Sequence, residues 1–191
     1  MNSSTPRSPG RSLVLAAAVA LSAACAGDSP TEARPLAAKT AAASRAVELG
    51  TCTNLALGDT AKLAFHTYAD GVQIYRWTGG AWEFVAPRAT LYADAGLHGI
   101  VGTHYAGPKW ESNAGGTVKG AVSRRCTPDA SAIPWLLLDA TPDAGPGIFH
   151  RVRYIQRVNT VGGNAPAAPG STVGELREVP YTAEYFFYRE H

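Results

Sequence analysis

The residues in this chain best equipped for chemistry lie in one short stretch, V-G-T-H-Y-A-G-P-K-W-E, residues 101–111. His104 and Glu111 flank a Gly107-Pro108 pair that forces a bend, so the spacing predicts an imidazole and a carboxylate facing each other across it. A histidine beside a carboxylate gains basicity and can act as a general base; in its neutral form it can instead hold a metal. The plainer alternative is a hydrogen bond that braces the turn. Tyr105, Lys109 and Trp110 flank the same pair.

Aromatic side chains offer a second kind of chemistry. Trp77, Trp82, Trp110, Tyr75 and Tyr105 fall in one half of the globular part. Flat aromatic faces suit the apolar side of pyranose rings, with Asp, Glu or Gln bonding the hydroxyls; core filling is the alternative use. Asp70-Gly71 reads first as a turn dipeptide whose carboxylate caps its own turn. The candidate ligand-binding set is therefore Asp70, Trp77, His104, Tyr105, Trp110 and Glu111. His66, His98 and His150 lack neighbours at ligand spacing and read as surface or loop residues. Gln156, if it faces inward, must be hydrogen-bonded. Glu184 is expected to face solvent or pair with an arginine.

Several function classes lose support. No G-x-G-x-x-G follows a strand and no G-x-x-x-x-G-K-[ST] occurs, so a nucleotide cofactor is not expected. There is no H-E-x-x-H and no G-x-S-x-G; Gly170-Ser171-Thr172-Val173-Gly174 misplaces the serine. The formal charge of +2 belongs to the first residues, because setting aside Arg7 and Arg11 leaves 15 basic and 15 acidic residues. A neutral domain lacks the basic footprint of a nucleic-acid binder. Arg151, Arg153 and Arg157, with Arg124 and Arg125, read as the wet faces of strands.

The elements that must position these residues are strands. Gly and Pro punctuate the chain every 8 to 12 residues, and no helix-length amphipathic run stands out. Strands are expected at Ala61–Phe65, then after a turn at Ala69-Asp70-Gly71, with a hairpin at Thr78-Gly79-Gly80. Further strands are expected at Ala89–Tyr92, Gly99–Tyr105 and Thr117–Ser123. Ile133–Leu138 is apolar on both sides, which fits a strand at the centre of the core; Pro134 can only begin it. Ile148–Thr160 is the longest run, with Val152, Tyr154, Gln156 and Val158 on one face. After a loop from Val161 to Gly174, the aromatic run Val179–Tyr188 is too apolar for a bare edge and should be paired inside a sheet. The fold class is all-β: a single antiparallel sandwich or closed barrel over residues 48–191.

Residues 1–24 read as an export signal, with Arg7 and Arg11 before the apolar run Leu13–Ala24, which is too short for the about 20 residues a membrane-crossing helix needs. Leu21-Ser22-Ala23-Ala24-Cys25 resembles a bacterial lipoprotein box with Cys25 as the acylated residue, although Ser22 stands where a large aliphatic is usual. Simple cleavage is the alternative. Residues 25–47 read as a flexible tether, rich in Ala, Thr and Pro. Exported chains fold where disulfides persist, and with Cys25 set aside Cys52 and Cys126 are left to form one bridge.

Five runs in order resemble a single family: A-D-G-V-Q-I-Y at 69–75, V-G-T-H-Y-A-G-P-K-W-E at 101–111, A-I-P-W-L-L-L at 132–138, I-Q-R-V-N-T-V-G-G-N-A-P at 155–166 and V-P-Y-T-A-E-Y-F-F-Y at 179–188. The family is domain-of-unknown-function family 3455, found in exported bacterial and fungal proteins, and the resemblance spans Leu57 to Tyr188. It implies no activity. Lys109 stands where the family pattern has Thr. Pro169-Gly170-Ser171 stands where many members carry a Cys, which leaves Cys52 and Cys126 to each other.

The expectation from sequence is an extracytoplasmic domain, lipid-anchored through Cys25 or secreted, that binds an extracellular ligand such as a carbohydrate or an envelope component. No cofactor is expected. One alternative is a hydrolase-type enzyme using His104 with Glu111 or Asp70. The other is an envelope interaction protein with no ligand pocket.

Overall fold

Period-two alternation runs through most of the chain from Ala61 onward, and segments of that period bury one face only by pairing as strands. In a computed structural model, which describes residues 47–144 and 147–190, they pair as eight antiparallel strands. These are β1 (Ala61–Trp77), β2 (Trp82–Tyr92), β3 (Ile100–Tyr105), β4 (Lys109–Ser112), β5 (Thr117–Cys126), β6 (Trp135–Ala144), β7 (Val152–Gly162) and β8 (Leu176–Glu190). Each strand pairs with its neighbours in the chain, and β8 returns to pair with β1, closing a barrel. Of the two architectures the sequence allowed, the barrel is the one formed. Closure removes every sheet edge. The aromatic run of β8 is accordingly paired on both sides, with β1 and with β7.

One expected turn is absent. Ala69-Asp70-Gly71 lies in the middle of β1, a strand of 17 residues. Gly71 serves close approach instead: a Cβ there would sit 2.2 Å from the Arg88 carbonyl oxygen and 2.5 Å from the Ala89 Cα. The strand needs a residue with no side chain to pass β2 so closely. The hairpin at Thr78–Ala81 forms as expected, with the Thr78 N–H donating to the Ala81 carbonyl at 3.0 Å and Gly79 at φ 97°.

The lumen is filled from one end. Phe65, Phe149 and Phe187 meet with ring centroids 4.5–5.5 Å apart, and Leu91, Val152 and Ile155 are fully buried beside them in the same core. The opposite end is bounded by the β1–β2, β3–β4, β5–β6 and β7–β8 connections. Outside, exposed charges stand at mid-strand on several strands, among them Asp70, Arg88, Lys119 and Asp139. That is unlike the apolar band of a membrane-spanning barrel. No helix among the described residues is long and apolar enough to cross a membrane.

Residues before β1 form a strap on the barrel's outer wall. A short 3-10 turn, Thr53–Leu55, lies over β5, β6 and β7, and Cys52 is bonded to Cys126 at the end of β5. Leu55 is buried against Leu137. Gln156 Nε2 donates to the Leu55 carbonyl at 2.7 Å, and Arg124 Nη1 donates to the carbonyls of Asn54 and Ala56. The strap explains why Leu136-Leu137-Leu138 is apolar on both sides. Leu136 and Leu138 face the lumen, while Leu137 faces outward beneath the strap. Cys25 and residues 1–46 lie outside the described residues.

Candidate functional site

Strand pairing decides which of the sequence candidates can meet. His104 is registered opposite Trp110 across the β3–β4 hairpin, and Thr103 is opposite Glu111. Paired residues share a face, so His104 and Trp110 point into the barrel while Glu111 points out. The imidazole and the carboxylate expected to converge are on opposite sides of the sheet. Glu111 accepts a hydrogen bond from the Tyr105 hydroxyl at 2.8 Å on the outer wall. Asp70 is also exposed on the outside. Neither carboxylate reaches the lumen, so the hydrolytic pair does not assemble.

His104 is instead a lumen residue, only 3% exposed. Its ring stacks on Trp110 at 4.2 Å and meets Tyr185 edge-on at 5.3 Å. Nδ1 lies 2.9 Å from the Lys109 carbonyl. A carbonyl only accepts, so Nδ1 carries the proton and Nε2 is left as an acceptor. Burial drives its pKa down to about 3; the hydrogen bond to Lys109 opposes this, and the Arg157 guanidinium adds to it. The ring is neutral at physiological pH and a feeble base there.

Trp110 is 1% exposed and belongs to the core, so it offers no open platform. Trp77 sits half-buried at the open end, tilted against Trp82 with ring centroids 5.3 Å apart. The β7–β8 connection lies against this pair: Trp82 Nε1 donates to the Ala168 carbonyl at 2.9 Å, and a Cβ on Gly170 would fall 2.6 Å from the Trp77 ring. These two tryptophans hold a loop in place.

At the open end the lumen keeps a cavity of about 190 Å³. Its walls include Pro87, Leu136, Leu138 and Tyr185, with Trp110 and His104 among them; Phe84, Val85 and Val122, all exposed, form an apolar rim. Besides His104 and Tyr185, two further polar side chains reach it, Gln73 and Arg157. Gln73 is 2% exposed, and its Nε2 has no hydrogen-bond partner among the described residues. Trp110 Nε1 is buried and unpartnered in the same way.

Arg157 corrects the sequence reading, which put it on a wet strand face. It is registered opposite Leu136 on β6 and Tyr185 on β8, both lumen residues. Its charge depresses the pKa values of His104, Tyr75 and Tyr185 among its neighbours, although burial still raises both tyrosines. Its Nε and Nη2 share the Pro134 carbonyl at 3.2 and 2.7 Å. No carboxylate of the described residues lies within ion-pair distance of it. The signal that could have found it is its spacing of two from Ile155, had the β7 irregularity between Val152 and Tyr154 been known. Among the described residues no three of His, Cys, Asp and Glu cluster closely enough to hold a metal ion.

The family model described as Protein of unknown function (DUF3455) matches residues 58–189, every strand of the barrel included. The chain belongs to this family. No curated protein and no solved structure matches it. Membership therefore extends to the barrel and its lumen but carries no assigned activity with it. The Cys52–Cys126 disulfide fits folding in an oxidising, extracytoplasmic compartment.

Proposed function

We propose that this barrel is an extracytoplasmic binding protein that takes a small, largely apolar molecule into its open end without transforming it. The observation that carries this reading is the lumen cavity: apolar walls, an apolar rim and a very few inward polar groups, the usual make-up of a small-molecule site. A hydrolytic role finds less support, because Glu111 and Asp70 stand outside the barrel and His104 is held neutral by burial. A sugar is the weaker occupant. Trp110 is core, Trp77 and Trp82 are half-buried against the β7–β8 connection, and the lumen cavity has few groups to satisfy a ring of hydroxyls. Delivery to the envelope through a lipid on Cys25 is part of the same proposal.

The test is a thermal-shift and tryptophan-fluorescence screen of the disulfide-intact protein against small aromatic and aliphatic probes, beside an oligosaccharide panel. A probe at 100 times its dissociation constant adds about 2.7 kcal/mol to the folded state. Leu136→Trp, which fills the cavity, should abolish the shift while the fold persists. Shifts from oligosaccharides alone, or apolar-probe binding that survives the filling variant, would move the site elsewhere.

A further inference from the structure

Three groups that line the cavity, Arg157, Gln73 and Trp110, bring hydrogen-bond donors, and His104 Nε2 stands among them as an acceptor. Arg157 brings a fixed positive charge; its Nε and Nη2 donate to one carbonyl, that of Pro134, and its guanidinium also meets the Tyr185 hydroxyl, but no carboxylate of the described residues neutralises it. Gln73 brings a buried amide N–H with no acceptor among the described residues, and Trp110 an indole N–H in the same position. A half-buried cation without a carboxylate partner among the described residues, with buried unmatched donors beside it, is costly to keep. Neither Asp70 nor Glu111 can relieve it, since both are outside. What would relieve it is an anion with acceptor oxygens, and a planar carboxylate matches the guanidinium fork two bonds at a time.

The rest of the cavity describes the body of the ligand. Its walls are aliphatic and aromatic, and its volume of about 190 Å³ is somewhat larger than the roughly 150 Å³ apolar cavity known to take up benzene. We infer that the barrel binds a small aromatic monocarboxylate, its ring among Leu136, Leu138, Trp110 and Pro87 and its carboxylate on Arg157 with Gln73 donating beside it. This rests on the lumen being the binding site and adds the class of molecule it takes.

The experiment titrates the full, disulfide-bonded chain with phenylacetate and with its uncharged isostere phenylacetamide, reading tryptophan fluorescence and calorimetry. Phenylacetate should bind about tenfold or more tightly than the amide, the margin of a charge-assisted hydrogen bond. Arg157→Met should erase that preference while leaving the amide's binding within a few-fold. Arg157→Lys, which keeps the charge but not the fork, should restore only part of it and guards against a folding defect in the Met variant. Equal binding of acid and amide would overturn the carboxylate and leave the lumen site standing. Failure of both probes to bind, with Leu136→Trp no different from wild type, would overturn the two together.

Discussion

His104 shows how far surroundings can move one side chain. In the unfolded chain its pKa is near 6.5, and in the barrel it is about 3. Between those values the unfolded state binds a proton that the folded state refuses. Stability is therefore full above pH 6.5 and falls as pH drops through the window, by about 1.4 kcal/mol per unit. His104→Phe keeps a ring against Trp110 but cannot titrate. Denaturant melts of both proteins from pH 7 to 4 should show the wild type losing its advantage steadily; parallel curves would mean His104 is not held neutral. The sequence picked out His104 and Trp110 but paired the histidine with the wrong partner. In a hairpin centred on Gly107, Trp110 shares its face and Glu111 is one step out of register. Arg157 was missed for a related reason: parity along β7 changes where Arg153 interrupts the pairing, and nothing in a run of alternating residues marks such a place.

At the scale of elements, the all-β class, the β1–β2 hairpin and the internal pairing of β8 were legible, because period, glycine placement and aromatic content all point one way. The mid-strand glycine was not. Asp70-Gly71 has the composition of a turn, and only the backbone of β2 passing within reach shows that the glycine serves close packing. The outer strap was half legible. Two cysteines announced a bridge, but not that it would clamp Leu55 over Leu137 and turn a strand apolar on both faces. The bridge spans 74 residues, so the chain-entropy argument assigns it about 4 kcal/mol. A Cys52→Ser, Cys126→Ser variant should lose roughly that much in equilibrium unfolding. An unchanged midpoint would show that the strap's other contacts suffice.

For the whole molecule, closure is the decisive event. β8 supplies Tyr181, Ala183, Tyr185 and Phe187 to the lumen and seals β1 to β7. A chain ending at Val179 would lack that wall and expose two unpaired edges. It should show no near-UV circular dichroism and should bind hydrophobic dye; a native tertiary spectrum would contradict the closure argument. The strand seam between β1 and β8 also joins residues more than a hundred positions apart, such as Asp70 and Thr182, which places folding among the slower, topology-limited cases.

The clamp between Cys52 and Cys126 has a mechanical side as well. Tension applied to the chain at Val47 and at its far end enters the barrel at Cys52 and crosses directly to Cys126. Residues 53–125, which carry β1 through β5, are bypassed by the load and cannot be drawn out until that bond is reduced. Only the length from β6 to β8 can extend. In a force-extension experiment the oxidised protein should therefore release a contour of about 65 residues, at roughly 3.3–3.6 Å each, and the reduced protein more than twice that. A protein held at a surface by its N-terminal side would carry its own strain limiter.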